Sequence, residues 1–147
     1  MAYYEDLSPC DYFGGRCGTV LRSVGWLERG KSYCDGRVDE DVFRKLELLL
    51  RDAWQPVATA GLHDCDLCAI TAEKSGTKNL FIPSDGYIFV CPELITHYIN
   101  AHHYQPPDSF CKAVVDCPTM RSMAYHKKLL ACGGHILIEP PQVGDQI

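Results

Sequence analysis

Two short segments carry the residue types that can do chemistry: Cys65-Asp66-Leu67-Cys68 and His97-Tyr98-Ile99-Asn100-Ala101-His102. A C-x2-C turn sets two thiols on one side of a tight knuckle, and two histidines on one downstream helix can complete a tetrahedron around zinc. The pattern reads C-x2-C-x28-H-x4-H, with a central gap longer than that of a DNA-reading finger. His97 and His102 stand about 140° apart on an ideal helix, so shared coordination requires a distorted last turn. His63, two residues before Cys65, is the alternative ligand. His102 also shares a face with Leu94, Ile95, Tyr98 and Ile99, which leaves a hydrogen-bonded core histidine as the competing reading. His103 is expected at the surface, and His126 and His135, alone in their segments, are set aside as ligands.

Other chemistries fit these residues less well. A thioredoxin-like redox pair should open a helix after a buried strand, whereas Cys65 follows a polar loop. The H-x-E and P-C-x-x-C signature of base deaminases is absent: Cys65, not glutamate, stands two residues after His63, and no proline precedes it. The H-E-x-x-H of zincins is absent as well. A zinc hydrolase would need His63, Cys65 and Cys68 as its three ligands, with Glu93 or Asp85 near an open fourth position. Four good ligand candidates favour a closed structural site instead. Catalytic residues are therefore not assigned.

The elements that must position these ligands emerge from periodicity. Lys78 to Pro83 and Gly86 to Cys91 read as two strands joined by Pro-Ser-Asp-Gly, a hairpin signal. Pro92 can open the helix that carries the histidines to about His103. Upstream, Asp39 is a plausible N-cap for a helix with Val42, Phe43, Leu46, Leu49, Leu50 and Trp54 on one stripe, ended by Pro56. Residues 1–36 are rich in turn punctuation around one strand-like run, Thr19 to Leu27, and read as an extended arm whose Val20, Val24, Trp26 and Leu27 reach the core. Val57 to Ala60 can form a short extended piece. Downstream, Asp108 can cap a helix to about Val115, and Pro118 can open another that runs to Cys132 before Gly133-Gly134. His135 to Ile138 could add an edge strand before Pro140-Pro141.

The expected fold is therefore α+β: a small antiparallel sheet or hairpin with helices packed around one structural zinc site. Domain organisation reads as a single unit over 1–147, with the arm at 1–36, knuckle, hairpin and helix at 61–107, and C-terminal helices at 108–134. The chain has 147 residues, of which 46% are hydrophobic, and a net charge of −5. That suffices for a real core, and no excess of base draws the chain to nucleic acid. The helix from Pro92 to His103 has neither lysine nor arginine, so a nucleic-acid-binding finger is disfavoured. No secretion signal or membrane span is apparent, which places the chain in the cytoplasm. Its nine cysteines are then reduced. Cys91, Cys111, Cys117 and Cys132 read as packing residues, while Cys10, Cys17 and Cys34 are less defined.

The strings Asp6-Leu7-Ser8-Pro9, Val24-Gly25-Trp26-Leu27, His63-x-Cys65-x-x-Cys68 and His97-Tyr98-Ile99-x-x-His102-x-Tyr104-x-Pro106-Pro107-x-x-Phe110 resemble small bacterial proteins grouped only as domains of unknown function. The resemblance spans most of residues 1 to 115. It implies that knuckle and helix form one unit, and it implies no activity. The expected role is a zinc-stapled module that docks another protein, with Tyr87, Tyr98, Tyr104 and Tyr125 as candidate contact residues.

Overall fold

A computed structural model describes residues 2–56, 63–68 and 75–138. The expected extended piece at 57–60, residues 61–62 before the knuckle, and Pro140-Pro141 lie outside the described residues.

The fold is α+β. A 3-10 turn at Gly15–Thr19 leads into β1 (Leu21–Ser23), followed by α1 (Glu40–Arg51). A two-stranded ribbon of β2 (His63–Asp64) and β3 (Ser75–Gly76) precedes the hairpin of β4 (Asn79–Pro83) and β5 (Ile88–Pro92). Four helices complete the described chain: α2 (Ile95–His102), α3 (Asp108–Asp116), α4 (Met123–Ala131) and α5 (His135–Ile138).

The hairpin forms where the two apolar runs and the turn chemistry place it, and Gly86 supplies a φ of 82° in the turn. The sheet it belongs to is mixed rather than antiparallel. β1 lies alongside β5 in parallel, Leu21 opposite Ile88 and Ser23 opposite Val90, giving the order β1-β5-β4. The arm thus contributes a strand to the main sheet. All five residues of β4 and all five of β5 are buried, as expected of a sheet covered on both faces. Phe89 packs edge-on against Phe110 of α3 at 5.6 Å, while Phe81, on the opposite face, meets Phe13 and Trp54.

Trp26 anchors the arm. It is fully buried, its indole N–H donates to the Val90 carbonyl at 3.0 Å, and Tyr4 packs edge-on against it. Burying a side chain of this size stabilises by about 3 kcal/mol, and the bonded indole avoids the cost of a buried unpaired donor. Just before it, Gly25 has a φ of 77° and its would-be Cβ lies 3.2 Å from the Ile95 side chain, so only glycine fits the turn that brings the arm against α2.

α1 starts as its residues dictate: Asp39 accepts from the Asp41 N–H at 2.9 Å, and Glu40 and Asp41 occupy the positive end of the helix dipole. Its buried stripe is Val42, Leu46, Leu49 and Leu50, and the helix ends at Arg51, before Pro56. Three expectations at helix ends are corrected. Pro92 closes β5 opposite Asn79 instead of opening α2, because its register in the sheet holds it extended. Ser122, not Pro118, caps α4, accepting from the Tyr125 N–H at 3.1 Å. Residues His135–Ile138 form the short α5 rather than an edge strand; the N–H of Leu137 bonds the Gly134 carbonyl, so the turn begun at Gly133-Gly134 continues as helix.

Of the cysteines, Cys10, Cys17, Cys65, Cys91, Cys117 and Cys132 are buried, Cys68 and Cys111 are half-buried, and Cys34 is exposed. Desolvation pushes the thiols of Cys10, Cys17, Cys91, Cys111 and Cys117 above their usual range, which suits packing residues. No helix of the described residues is long and apolar enough to cross a membrane.

Candidate metal centre

The knuckle leaves β2 and immediately turns. Cys65, 3% exposed, faces the core, while Cys68 is half-buried at the end of the turn. Two bonds from Arg29 hold it in place: the backbone N–H donates to Asp66 Oδ2 at 2.8 Å, and Nη2 donates to the Cys68 carbonyl at 2.9 Å. The arm therefore fixes both the middle and the end of the C-x2-C turn.

α2 approaches from the other side. Its buried residues Ile95 and Tyr98 set its rotation against the core. Its last turn closes on the Tyr98 carbonyl, which accepts from the N–H groups of His103 and Tyr104. His103 takes a left-handed φ of 55° to do so, a helix-ending geometry that frees the chain to reverse direction. Tyr33 Oη donates to the His102 carbonyl at 2.9 Å, pinning the same turn from the arm.

The result brings one donor atom from each of Cys65, Cys68, His97 and His102 within 4.8 Å of one another, the one such group of three or more potential ligands among the described residues. Cys65 Sγ lies 3.4 Å from His102 Nε2, and Cys68 Sγ lies 3.4 Å from His97 Nε2 and 3.7 Å from His102 Nε2. A zinc ion with bonds of about 2.3 Å to sulfur and about 2.05 Å to nitrogen would set tetrahedral sulfur–nitrogen edges of about 3.6 Å. The observed edges match that figure within a few tenths of an ångström, so the donor set fits a four-coordinate metal. The two imidazoles converge without the expected distortion of the last turn, since α2 is regular helix through His102 and their ring centres are 5.1 Å apart.

The electrostatics agree with a cation between these groups. Desolvation, with Cys68 as neighbour, raises the Cys65 thiol above its usual range, so Cys65 resists ionising without a compensating positive charge. Desolvation lowers His102, favouring the neutral imidazole that can ligate a metal.

His63 lies outside this cluster. It is 2% exposed and packs edge-on against Tyr12 and Trp26 at 5.8 and 6.1 Å, with neither ring nitrogen hydrogen-bonded. Of the two acids considered for catalysis, Glu93 is engaged: its Oε1 accepts from the backbone N–H groups of Thr77 and Lys78 and ties β3 and β4 to the start of α2. Asp85 is exposed in the hairpin turn, at the opposite end of β4 and β5 from α2. His103, His126 and His135 are exposed.

Sequence reasoning overlooked the parts played by Arg29 and Tyr33. Neither residue type announces a role toward a knuckle 37 residues away or a helix 69 residues away. It also overlooked Asp6, whose carboxylate accepts from the Gly25 N–H at 3.0 Å and the Tyr104 hydroxyl at 2.8 Å, linking two of the motif strings across 98 residues. Burial raises this carboxyl above its usual range, and the two hydrogen bonds partly offset that.

The chain belongs to the family described as a domain of unknown function, DUF7919, whose model matches residues 2–115. The matched span contains the knuckle and α2, and it ends within α3. No curated protein and no solved structure matches the chain.

Proposed function

We propose that Cys65, Cys68, His97 and His102 hold one zinc ion in a closed structural site, and that the zinc staples a single cytoplasmic domain that docks another protein. The observation that carries this reading is the set of sulfur–nitrogen edges at 3.4 to 3.7 Å, close to those of a zinc tetrahedron. Two thiolates with two imidazoles select zinc over the hard, oxygen-seeking cations. Four protein ligands leave no position for a reactive water, and Glu93 is committed to backbone donors, so the site favours structure over hydrolysis.

The tyrosines expected as contact residues do not supply the docking surface, since Tyr98, Tyr104 and Tyr125 are buried in the core and Tyr87 is half-buried; the docking role is supported instead by surface that the fold does not use. Leu48 of α1 and Val115 of α3 are 57% and 54% exposed. Lys45, about one turn before Leu48, donates to the Val115 carbonyl at 3.3 Å, so both residues border the contact between α1 and α3. Contiguous exposed apolar surface marks protein contacts, and this seam is where the reading places one.

Elemental analysis of chelator-free protein should give about one zinc per chain, and the cobalt-substituted protein should show the intense visible bands of a four-coordinate site. Weak cobalt bands that shift on adding small anions would replace the structural reading with a hydrolase. For the docking role, Leu48→Glu with Val115→Glu should abolish capture of a partner that the parent protein retains, at unchanged zinc content. Undiminished capture would remove this surface from the proposal.

A further inference from the structure

Away from the metal centre, the arm folds back on itself and leaves a cavity of about 280 Å³ between its beginning and the segment after Leu27. Three tyrosines, Tyr3, Tyr4 and Tyr33, contribute to its walls, buried Leu27 lies among them, and the acids Glu5 and Asp6 line it too. Among the described residues, no lysine, arginine or histidine lines it. The molecule already places a cation on one of these rings: the Lys31 ammonium lies over Tyr3, 5.5 Å from the ring centre. Aromatic rings beside carboxylates attract positive charge, and Lys31 supplies only one cation against Glu5 and Asp6.

The hydrogen bonds around the cavity narrow the class of cation. Tyr4 donates its hydroxyl proton to Asp11, and Tyr33 donates its own to the His102 carbonyl. Each oxygen of Asp6 already accepts a bond, one from Gly25 and one from Tyr104. A bare ammonium is strongly hydrated and demands acceptors in exchange for its water. A methylated ammonium demands none; it is held by aromatic rings and nearby negative charge, and both kinds of residue line this cavity.

We propose that the cavity walled by Tyr3, Tyr4 and Tyr33 binds a quaternary ammonium group, with Glu5 and Asp6 supplying the negative charge. The group could reach it on a free small amine or on a trimethylated lysine of another protein. The site is independent of the metal reading, since none of the four candidate ligands lines it.

Cys34 is exposed and belongs to the cavity lining, so it reports occupancy directly. The test is the rate of Cys34 alkylation by uncharged iodoacetamide, followed by peptide mass spectrometry on the full-length, metal-loaded protein. Tetramethylammonium chloride should slow the reaction saturably, while sodium chloride at equal ionic strength should not, and Cys111, outside the cavity, should be unaffected. Tyr3→Leu should raise the half-protecting concentration roughly three- to tenfold, the loss of one aromatic face. Lys31→Ala should lower it by removing the internal competitor. Stronger protection by a trimethyl-lysine peptide than by choline identifies a protein source, and the reverse order a free amine; the unmodified lysine peptide should protect least. No protection by tetramethylammonium, or equal protection by sodium chloride, overturns the proposal.

Discussion

The backbone N–H of Arg29 donates to the carboxylate of Asp66 at 2.8 Å, joining the arm to the middle of the metal-ligating turn. With the second bond from Arg29 to the Cys68 carbonyl, it makes the geometry of the candidate ligands depend on a segment far upstream in the chain. The site is thus a meeting of three pieces: arm, knuckle and α2.

The ligand set is tested by substitution. Cys65→Ser and His102→Ala should each lose the metal and lower the thermal midpoint, whereas His126→Ala, at an exposed position, should change neither. Metal content by mass spectrometry decides the matter, and equal content in the Cys65 and His126 variants would place the site elsewhere. Chelation should destabilise the knuckle and α2 together, seen as a common loss of amide protection.

Asp66→Ala removes the acceptor for Arg29 without touching a ligand. Both partners are exposed, so the cost in stability should be about 1 kcal/mol or less. Metal dissociation should accelerate nonetheless, because the turn loses its outer support. Stopped-flow transfer of the metal to a chromogenic chelator measures this, and an unchanged rate would show that the turn is held by its own geometry.

His63 gives the opposite expectation. Burial lowers its basicity, so folding favours the neutral ring. That contribution is complete above the ordinary histidine range near pH 6.5 and is lost as pH falls through the lower, folded value. His63→Phe should keep the metal, retain the edge-on packing with Tyr12 and Trp26, and soften the loss of stability below about pH 6. A variant that loses its metal would return His63 to the ligand set.

Asp6 titrates with the other sign. Its carboxyl is raised by burial, so the folded state holds its proton more tightly than the unfolded chain does. The associated stability is full below about pH 4 and falls as pH rises through the raised value. Tyr104→Phe removes the hydroxyl that offsets the burial and should cost about 1 to 3 kcal/mol while moving the Asp6 titration still higher. Denaturant melts across the acidic range check both effects, and an unmoved titration would mean that the Tyr104 bond carries no weight.

Much of the hairpin, α1 and the four clustered residues could be read in the sequence because each rests on a local rule. Asp39 caps the helix that starts at Glu40, Gly86 permits the hairpin turn, and two short apolar runs, Leu80 to Ile82 and Ile88 to Cys91, on either side of that turn mark two strands. The features that could not be read depend on contacts between distant segments. Nothing in Leu21-Arg22-Ser23 specifies parallel pairing with Ile88 to Val90, and Pro92 looks like a helix opener until its partner Asn79 is known. The placement of both imidazoles beside Cys68 likewise rests on how α2 docks against the knuckle, a contact between distant segments that no local rule specifies.

The parallel pairing of β1 with β5 also has a bearing on how the chain acquires its structure. β1 is synthesised more than 60 residues before its partner, since Leu21 pairs with Ile88. Trp26 needs that same partner strand, because its indole bonds Val90. During synthesis the arm therefore emerges with its largest apolar side chain uncovered, and it stays so until β5 is available. Closing so long a loop is entropically costly and slows folding. The late step, docking of the arm, is also the one that brings Arg29 to the knuckle. Metal affinity should mature only after the arm has docked on β5 and α2 has followed it out of the ribosome.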